Sequence, residues 1–464
     1  MTCGFNWLGV IIKSPRDAFD SAAVVALDAA QVPVTRLTMR LRSDLHVPVG
    51  DFVARYRENS DKVVSRYTDL VDVVLSRQAA RRVMDLRLDA KDPEDYLHGS
   101  LVGLYTVTLD ALPLELRHLE LTNCRGILCQ REAVLPGLFS LRLSHSAQRL
   151  SSLQRVMDAA PAITSVHLEH VQIDTTNEKA RRLECPAATV LVLDSCTREE
   201  RTYHRSAGYY YYRKTVAIDE IKAPRLRRFR YKGPLVSFSF SPEPLELEQV
   251  DLDFSEYGYQ GDSKDPDYDL ETFWRLARGF TSTKEMRLRM NHLEDMGVIS
   301  EARRVELLPA FRRLECLEVH GAYWEKGKDA VLTILNMLRC CPMLSALRIN
   351  LTAKDEDASN KEGARTRVPQ KEIQIAALLG PRNLLRCLRS SLKRVGLQFP
   401  LEKSDCLGVK LIIFFAENAM VLEEMCIDGG DQKLCKHMSP KTEKWNSRRK
   451  KLGATTFVVL PLKS

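Results

Sequence analysis

The chain has 464 residues, of which 44% are hydrophobic, and its 69 basic and 61 acidic residues leave a net charge of +8. That composition excludes wholesale disorder, and the charge excess is too small for this length to argue for an acidic or nucleic-acid partner by itself. The longest apolar candidate, residues 410–415, falls far short of the roughly eighteen needed to cross a bilayer, so no membrane association is expected. The twelve cysteines are scattered without a C-x-x-C, which reads as reduced thiols in the cytoplasm or nucleus. The opening MTCGFNWLGVII has no basic stretch before its apolar patch and reads as no secretory signal. Without secretion the sequon at Asn350, Leu351 and Thr352 has no consequence.

In chain order, one short pattern, apolar-x-x-apolar-x-apolar, recurs: VTRLTM (34–39), VMDLRL (83–88), LRHLEL (116–121), LFSLRL (138–143), ITSVHL (163–168), ATVLVL (188–193) and LRRFRY (226–231). It continues as LEQVDL (247–252), TKEMRL (283–288), LECLEV (314–319), LSALRI (344–349), LKRVGL (392–397) and LEEMCI (422–427), and residues 457–460 add a last strand. Side chains alternate along a strand, so the last two apolar positions enter a core while the residue between them faces out. This is the strand of a leucine-rich repeat, in which stacked units share a core that none could bury alone. The expected fold class is α/β: a leucine-rich-repeat solenoid with a curved parallel sheet and with helices and loops on the convex side. Helices are expected at 151–160, 329–341 and 408–418, the first two halted by Pro161 and Pro342. Strand spacing runs from about twenty to nearly fifty residues, looser than in regular arrays, so the excess must leave the array as loops. The expected organisation is an N-terminal segment (1–30), an irregular repeat array (31–380) and C-terminal repeats with a cap (381–464).

Three insertions interrupt the array. Residues 197–215 surround Tyr209, Tyr210, Tyr211 and Tyr212 with charge, which suits either a solvent-facing loop or hairpin or a docking loop with tyrosine anchors. Residues 257–270 are acidic and aromatic, and 352–371 are poor in hydrophobic side chains. The tail 433–451 carries nine Lys, Arg or His against one acid, a solvated cap loop or a nuclear-import or anion contact.

Catalytic signatures are missing: there is no G-x-x-x-x-G-K-[ST], G-x-G-x-x-G, H-E-x-x-H or G-x-S-x-G, and the chain is expected to be neither an enzyme nor a cofactor or metal carrier. Asp265, Asp267 and Asp269 are spaced as in an EF-hand loop, but Leu270 stands where glycine is required and Leu276 where glutamate is. Cys426, Cys435 and His437 do not have a zinc spacing. Cys124 and Cys196 each follow the last apolar residue of a strand by three positions, the Asn/Cys place of the repeat, and read as structural thiols.

The middle residue of each strand triplet gives the expected binding surface: Arg87, Glu120, Arg142, His167, Val192, Arg230, Asp251, Arg287, Glu318 and Arg348. Five are arginine and three acidic, a mixed ladder with a basic lean on the concave face, where solenoids bind their partners. A protein partner is the expected ligand. A nucleic-acid-binding or scaffold solenoid is the alternative, and a hydrolase has no triad to support it.

The run LRHLELTNCRGILCQREAVLPGLFSLRLSHSAQRLSSLQRVMDAAPAITSVHLEHVQI (116–173) resembles the grass-type plant F-box/leucine-rich-repeat proteins. The run LKRVGLQFPLEKSDCLGVKLIIFFAENAMVLEEMCID (392–428) resembles the FBD region that closes many of them. The resemblance implies a substrate receptor of a cullin-based ubiquitin ligase, in which an F-box docks the adaptor and the repeats hold the substrate. Residues 1–20 carry Trp7 and Pro15 but neither the Leu-Pro opening nor the length of an F-box. Adaptor binding is therefore expected only if an F-box lies upstream; otherwise the chain is expected to bind its partner without joining a cullin complex.

Overall fold

The computed structural model describes residues 7–11, 25, 27, 33–42, 74–91, 105–108, 112–128, 134–175, 181–196, 198–204, 209–215, 218–255, 266–298, 300–324, 328–354, 385–399, 407–428 and 457–459. The tail 433–451, Cys435, His437, residues 257–265 and residues 355–371 lie outside them. The chain is α/β, with a large parallel sheet and few helices. It divides into two compact units, the first formed by Met1–Leu226, Arg230–Lys232 and Phe238–Pro244, the second by Arg227–Phe229, Gly233–Ser237 and Leu245–Ser464.

In unit 1 the strands Trp7–Ile11, Arg36–Arg42, Asp85–Lys91, His118–Thr122, Ser140–Ser144, Ser165–Glu169 and Val190–Asp194 pair in parallel and in sequence order. The register aligns the repeats residue for residue, so Leu119, Leu141, Val166 and Leu191 share one row and Leu121, Leu143, Leu168 and Leu193 another. All eight are buried, as the alternation of a strand requires. The ladder begins one residue before each strand, with Phe139 N donating to Arg117 O at 2.9 Å and Thr164 N to Phe139 O at 2.9 Å.

Unit 1 departs from the expected strand-and-returning-helix repeat. Leu150–Ala159 is a helix, buries Leu150, Leu153, Val156 and Met157, and ends before Pro161. A 3-10 helix, Gln78–Arg82, precedes Asp85–Lys91, and short parallel strands form the rest of the described layer: Ala147–Arg149 with Gln172–Asp174, Tyr105–Thr108 with Cys124–Leu128, and Arg182–Glu184, Glu220–Lys222 and Ser239–Phe240 together. The segment Gln172–Asp174, followed by Thr175, Thr176 and Asn177, lacks the apolar 3.6-residue spacing that would bury a helix face. Gln154 ties the two kinds of layer together: its Oε1 accepts from Glu184 N at 2.8 Å and its Nε2 donates to Glu184 O at 3.0 Å. The tyrosine-rich insertion is an antiparallel hairpin, Arg198–His204 against Tyr209–Thr215.

In unit 2 the strands Gln249–Asp253, Glu285–Met290, Cys316–Trp324, Ala346–Lys354, Arg394–Gln398, Glu424–Asp428 and Phe457–Val459 pair in parallel and in order. Here the return is helical: Pro266–Arg278, Glu301–Leu307, Lys328–Cys340, Arg386–Ser390 and Leu407–Asn418. The helix Pro266–Arg278 corrects the reading of 257–270 as a loop over its last five residues, and it places Asp267 and Asp269 in a first helical turn. The cause is the spacing of Leu270, Phe273, Trp274 and Ala277, all buried, with Trp274 Nε1 donating to Met296 O at 3.2 Å. Lys328–Cys340 buries even its polar Thr333 and Asn336, which donate to Leu293 O at 2.6 Å and Val298 O at 3.1 Å. Those bonds satisfy groups that would otherwise be stranded in the core.

Candidate functional site

Each expected surface residue falls at the same register position of its strand, opposite the core. In unit 1 Arg87 aligns with Glu120, Glu120 with Arg142, and Arg142 with His167. In unit 2 Asp251 aligns with Arg287, Arg287 with Glu318, and Glu318 with Arg348. Val192 also takes its place in the unit 1 row, beside His167, but it is buried at 8% exposure and offers no surface. Arg230 lies on the strand Arg228–Lys232 and is exposed.

The basic lean of this row is a property of the row alone. Besides the acids of the row itself, flanking rows two residues to either side on the same face supply Asp85, Glu169, Asp194 and Asp253, which the triplet reading missed. Arg87 lies 3.3 Å from Asp85 and 3.6 Å from Glu120. Arg142 Nη2 meets both oxygens of Glu169, at 3.0 and 2.9 Å, and Arg230 Nη2 lies 3.4 Å from Asp194 Oδ2. In unit 2 Arg287 bridges Glu318 at 3.0 Å and Asp251 at 3.8 Å, while Arg289 bridges Asp251 at 3.5 Å and Asp253 at 3.3 Å. His320 Nε2 lies 2.7 Å from the other oxygen of Glu318. The signal was present in the sequence, because the alternation that exposes a triplet's middle residue also exposes the residues two before and two after it.

This pairing sets the protonation of the face. Burial lowers the pKa of the His167 imidazole, and the positive charges of Arg142 and Arg230 push it further down against a smaller pull from Glu169. Burial alone would raise Glu318, but its bonds to His320 and Arg287 outweigh that and hold the carboxyl below the usual range. Asp253 is likewise held low, burial being outweighed by Ser255 and Arg289.

The turns leaving the unit 1 strands are equally regular. Asn123, His145, His170 and Ser195 each adopt a left-handed conformation, with φ of 57°, 48°, 53° and 54°, directly after a strand. The next residue turns inward each time: Cys124, Ser146, Val171 and Cys196 are all buried. Cys196 Sγ donates to Leu168 O at 3.2 Å, and Ser146 Oγ accepts from Cys124 N at 3.3 Å while donating to Ser144 O at 2.8 Å. Burial pushes the Cys196 thiol up to about 12 and raises Cys124 as well, which suits structural thiols and not nucleophiles. The left-handed turns also stack the exposed rings of His145 and His170 in parallel, centroids 4.7 Å apart.

Among the described residues no three His, Cys, Asp or Glu gather as a metal site, and no helix is long and apolar enough to cross a membrane. No protein-family model matches the sequence, and no curated protein matches it.

Proposed function

We propose that the chain is a protein-recognition module whose units are leucine-rich-repeat solenoids, and that the exposed strand rows bind the partner. The observation that carries this reading is the register: polar side chains from successive repeats stand in straight rows on one face and are fixed by ion pairs between repeats. Such a surface is preorganised, so a partner meets side chains that are already ordered. The pairing of Arg87, Arg142, Arg230 and Arg287 with carboxylates weighs against the nucleic-acid alternative, which needs guanidiniums free for phosphates.

The resemblance of residues 116–173 and 392–428 extends the proposal to a substrate receptor of a cullin-based ubiquitin ligase, or a relative without an F-box, acting in the cytoplasm or nucleus. In that role the strand rows hold the substrate and take no part in chemistry.

A photo-crosslinking amino acid placed at Ser144, on the strand face, and at Arg155, on the helix Leu150–Ala159, separates the surfaces. Protein adducts from position 144 and none from 155 are expected. Adducts from 155 alone would move the site to the other side of unit 1. Adducts removed by nuclease would favour the nucleic-acid reading.

A further inference from the structure

The strand Ser165–Glu169 of unit 1 turns Ser165, His167 and Glu169 onto the exposed face, each half-buried, because alternate residues of a strand share a side. Ser165 Oγ and His167 Nε2 stand 3.0 Å apart, and His167 Nδ1 lies 4.0 Å from Glu169 Oε1. A hydroxyl, an imidazole and a carboxylate therefore follow one another along the strand in the order nucleophile, base and acid. Glu169 is itself fixed, because Arg142 Nη2 on the neighbouring strand donates to both its oxygens, at 3.0 and 2.9 Å. An alternation of this kind is not a contiguous motif, so the sequence shows no triad.

The surroundings suit that order. The Glu169 carboxylate favours the tautomer with hydrogen on Nδ1, which leaves the Nε2 lone pair to accept from the Ser165 hydroxyl. Burial first, then Arg142 and Arg230, hold the imidazole pKa below 6.5, so at neutral pH the ring is uncharged and able to take a proton. The contact with Glu169 is loose, and it can tighten when positive charge develops on the ring. In register, Ser140 stands beside Ser165 on one neighbouring strand and Val190 on the other, each about 4.8 Å away. The Ser140 hydroxyl is placed to donate to an oxygen that gains charge next to Ser165. Phe139 is 44% exposed and its carbonyl accepts from Ser165 N at 3.0 Å, so together with Val190 it supplies apolar surface for a short acyl chain.

We propose that Ser165 and His167, positioned by Glu169, hydrolyse carboxylic esters of short acyl groups, an activity beyond protein recognition. Ser165 Oγ bonds to the acyl carbon while its proton passes to His167 Nε2. The ester C–O bond then breaks, and the alcohol leaves with that proton. Water adds to the acyl carbon and gives a proton to His167; the carboxylic acid departs as this proton returns to Ser165 Oγ. Glu169 acts through the imidazole, holding its tautomer and balancing its transient charge.

The test treats the full chain with a fluorophosphonate, whose fluoride an activated serine displaces, and maps the labelled peptide; p-nitrophenyl acetate reads turnover in parallel. Labelling of Ser165 is expected in the folded chain and not in urea, with saturable release of p-nitrophenol. Ser165→Ala should remove both, and His167→Asn should slow labelling by about a hundredfold or more. Glu169→Gln should slow it less, and Glu169→Asp should recover part of that loss, which a merely structural role for the carboxylate would not produce. No label on Ser165 in the folded chain, or equal labelling in urea, overturns the site without recourse to any variant. His167→Asn labelled within about tenfold of the parent rate, with an unchanged thermal melt, overturns the base. Labelling without turnover of p-nitrophenyl acetate overturns the hydrolytic activity.

Discussion

Arg142 and Glu169 stand on neighbouring strands, two residues out of register, and one guanidinium nitrogen contacts both carboxylate oxygens, at 3.0 and 2.9 Å. The contact joins one repeat to the next on the exposed face, outside the apolar core that the same strands share. Because it is solvent-exposed, its contribution is about 1 kcal/mol or less. Arg142→Glu is expected to destabilise by about that amount, since it sets two carboxylates face to face, and adding Glu169→Arg should recover most of the loss. Urea unfolding of the four proteins gives the coupling; strictly additive effects would mean that the pair does not interact in solution.

How much of this was legible depends on distance along the chain. Arg142 was placed on the exposed face because Leu141 and Leu143 flank it, a local signal. Its partner was not, since Glu169 is 27 residues on, and Arg230 reaches back 36 residues to Asp194. Which repeats adjoin is settled by the register of the folded sheet, which loops of variable length conceal. Val192 was misjudged for a related reason: its own position predicts exposure, and only its surroundings on the sheet bury it. In unit 2 the helix Pro266–Arg278 was hidden behind acidic residues that draw attention to its first turn, although Leu270, Phe273, Trp274 and Ala277 carry a helical spacing.

The core rows should respond very differently from the exposed ones. Leu143 is fully buried between Leu121 and Leu168 of the adjoining strands, and Leu143→Ala should destabilise by about 2–5 kcal/mol through lost burial and the cavity it leaves. Ser144→Ala, one residue on and at the surface row, should change stability by about 0.5 kcal/mol at most. Equal effects in chemical denaturation would mean that the strand faces the other way.

A glycine shows how closely the helical layer of unit 2 packs. Gly408, in the helix Leu407–Asn418, lies flush against the ring of Phe399, and a Cβ there would collide with three of its atoms. Phe399 is buried, so the ring has nowhere to go. Gly408→Ala should therefore lower stability by about 1–3 kcal/mol despite the better helix propensity of alanine. The variant Gly408→Ala/Phe399→Leu should regain part of that loss; a single variant as stable as the parent in thermal melts would show that the ring and helix are not in contact.

The buried thiols give a prediction readable without mutation. Burial pushes Cys185, Cys196 and Cys340 up to about 12 and Cys387 to about 11. At neutral pH they hold almost no thiolate, the reactive form, so alkylation should spare them in the native chain and reach them at the rate of global or local unfolding. Peptide mapping after timed iodoacetamide treatment reads each site. Rapid native labelling of Cys196 would contradict its place at the turn, where Cys196→Ser, able to donate to Leu168 O as the thiol does, should be tolerated better than Cys196→Leu.

His167 supplies the pH dependence. Its folded pKa is lowered from 6.5, first by burial and then by Arg142 and Arg230, so between those two values the unfolded chain binds a proton that the folded chain refuses. The sign follows directly: stability is full above pH 6.5 and declines as pH falls from there towards the folded value. The carboxylates of Glu318 and Asp253 act lower down, because their folded values lie below 4.5 and 3.8 and their contribution is lost only as pH falls through those depressed values. His167→Asn should flatten the upper part of the profile and leave the lower part in place, whereas Arg287→Gln, which removes one of the groups holding Glu318 low, should reduce the acid-driven loss without touching the upper part. Denaturation midpoints measured from pH 8 to about pH 2 separate the two, and an upper slope that survives in His167→Asn would assign it to another group.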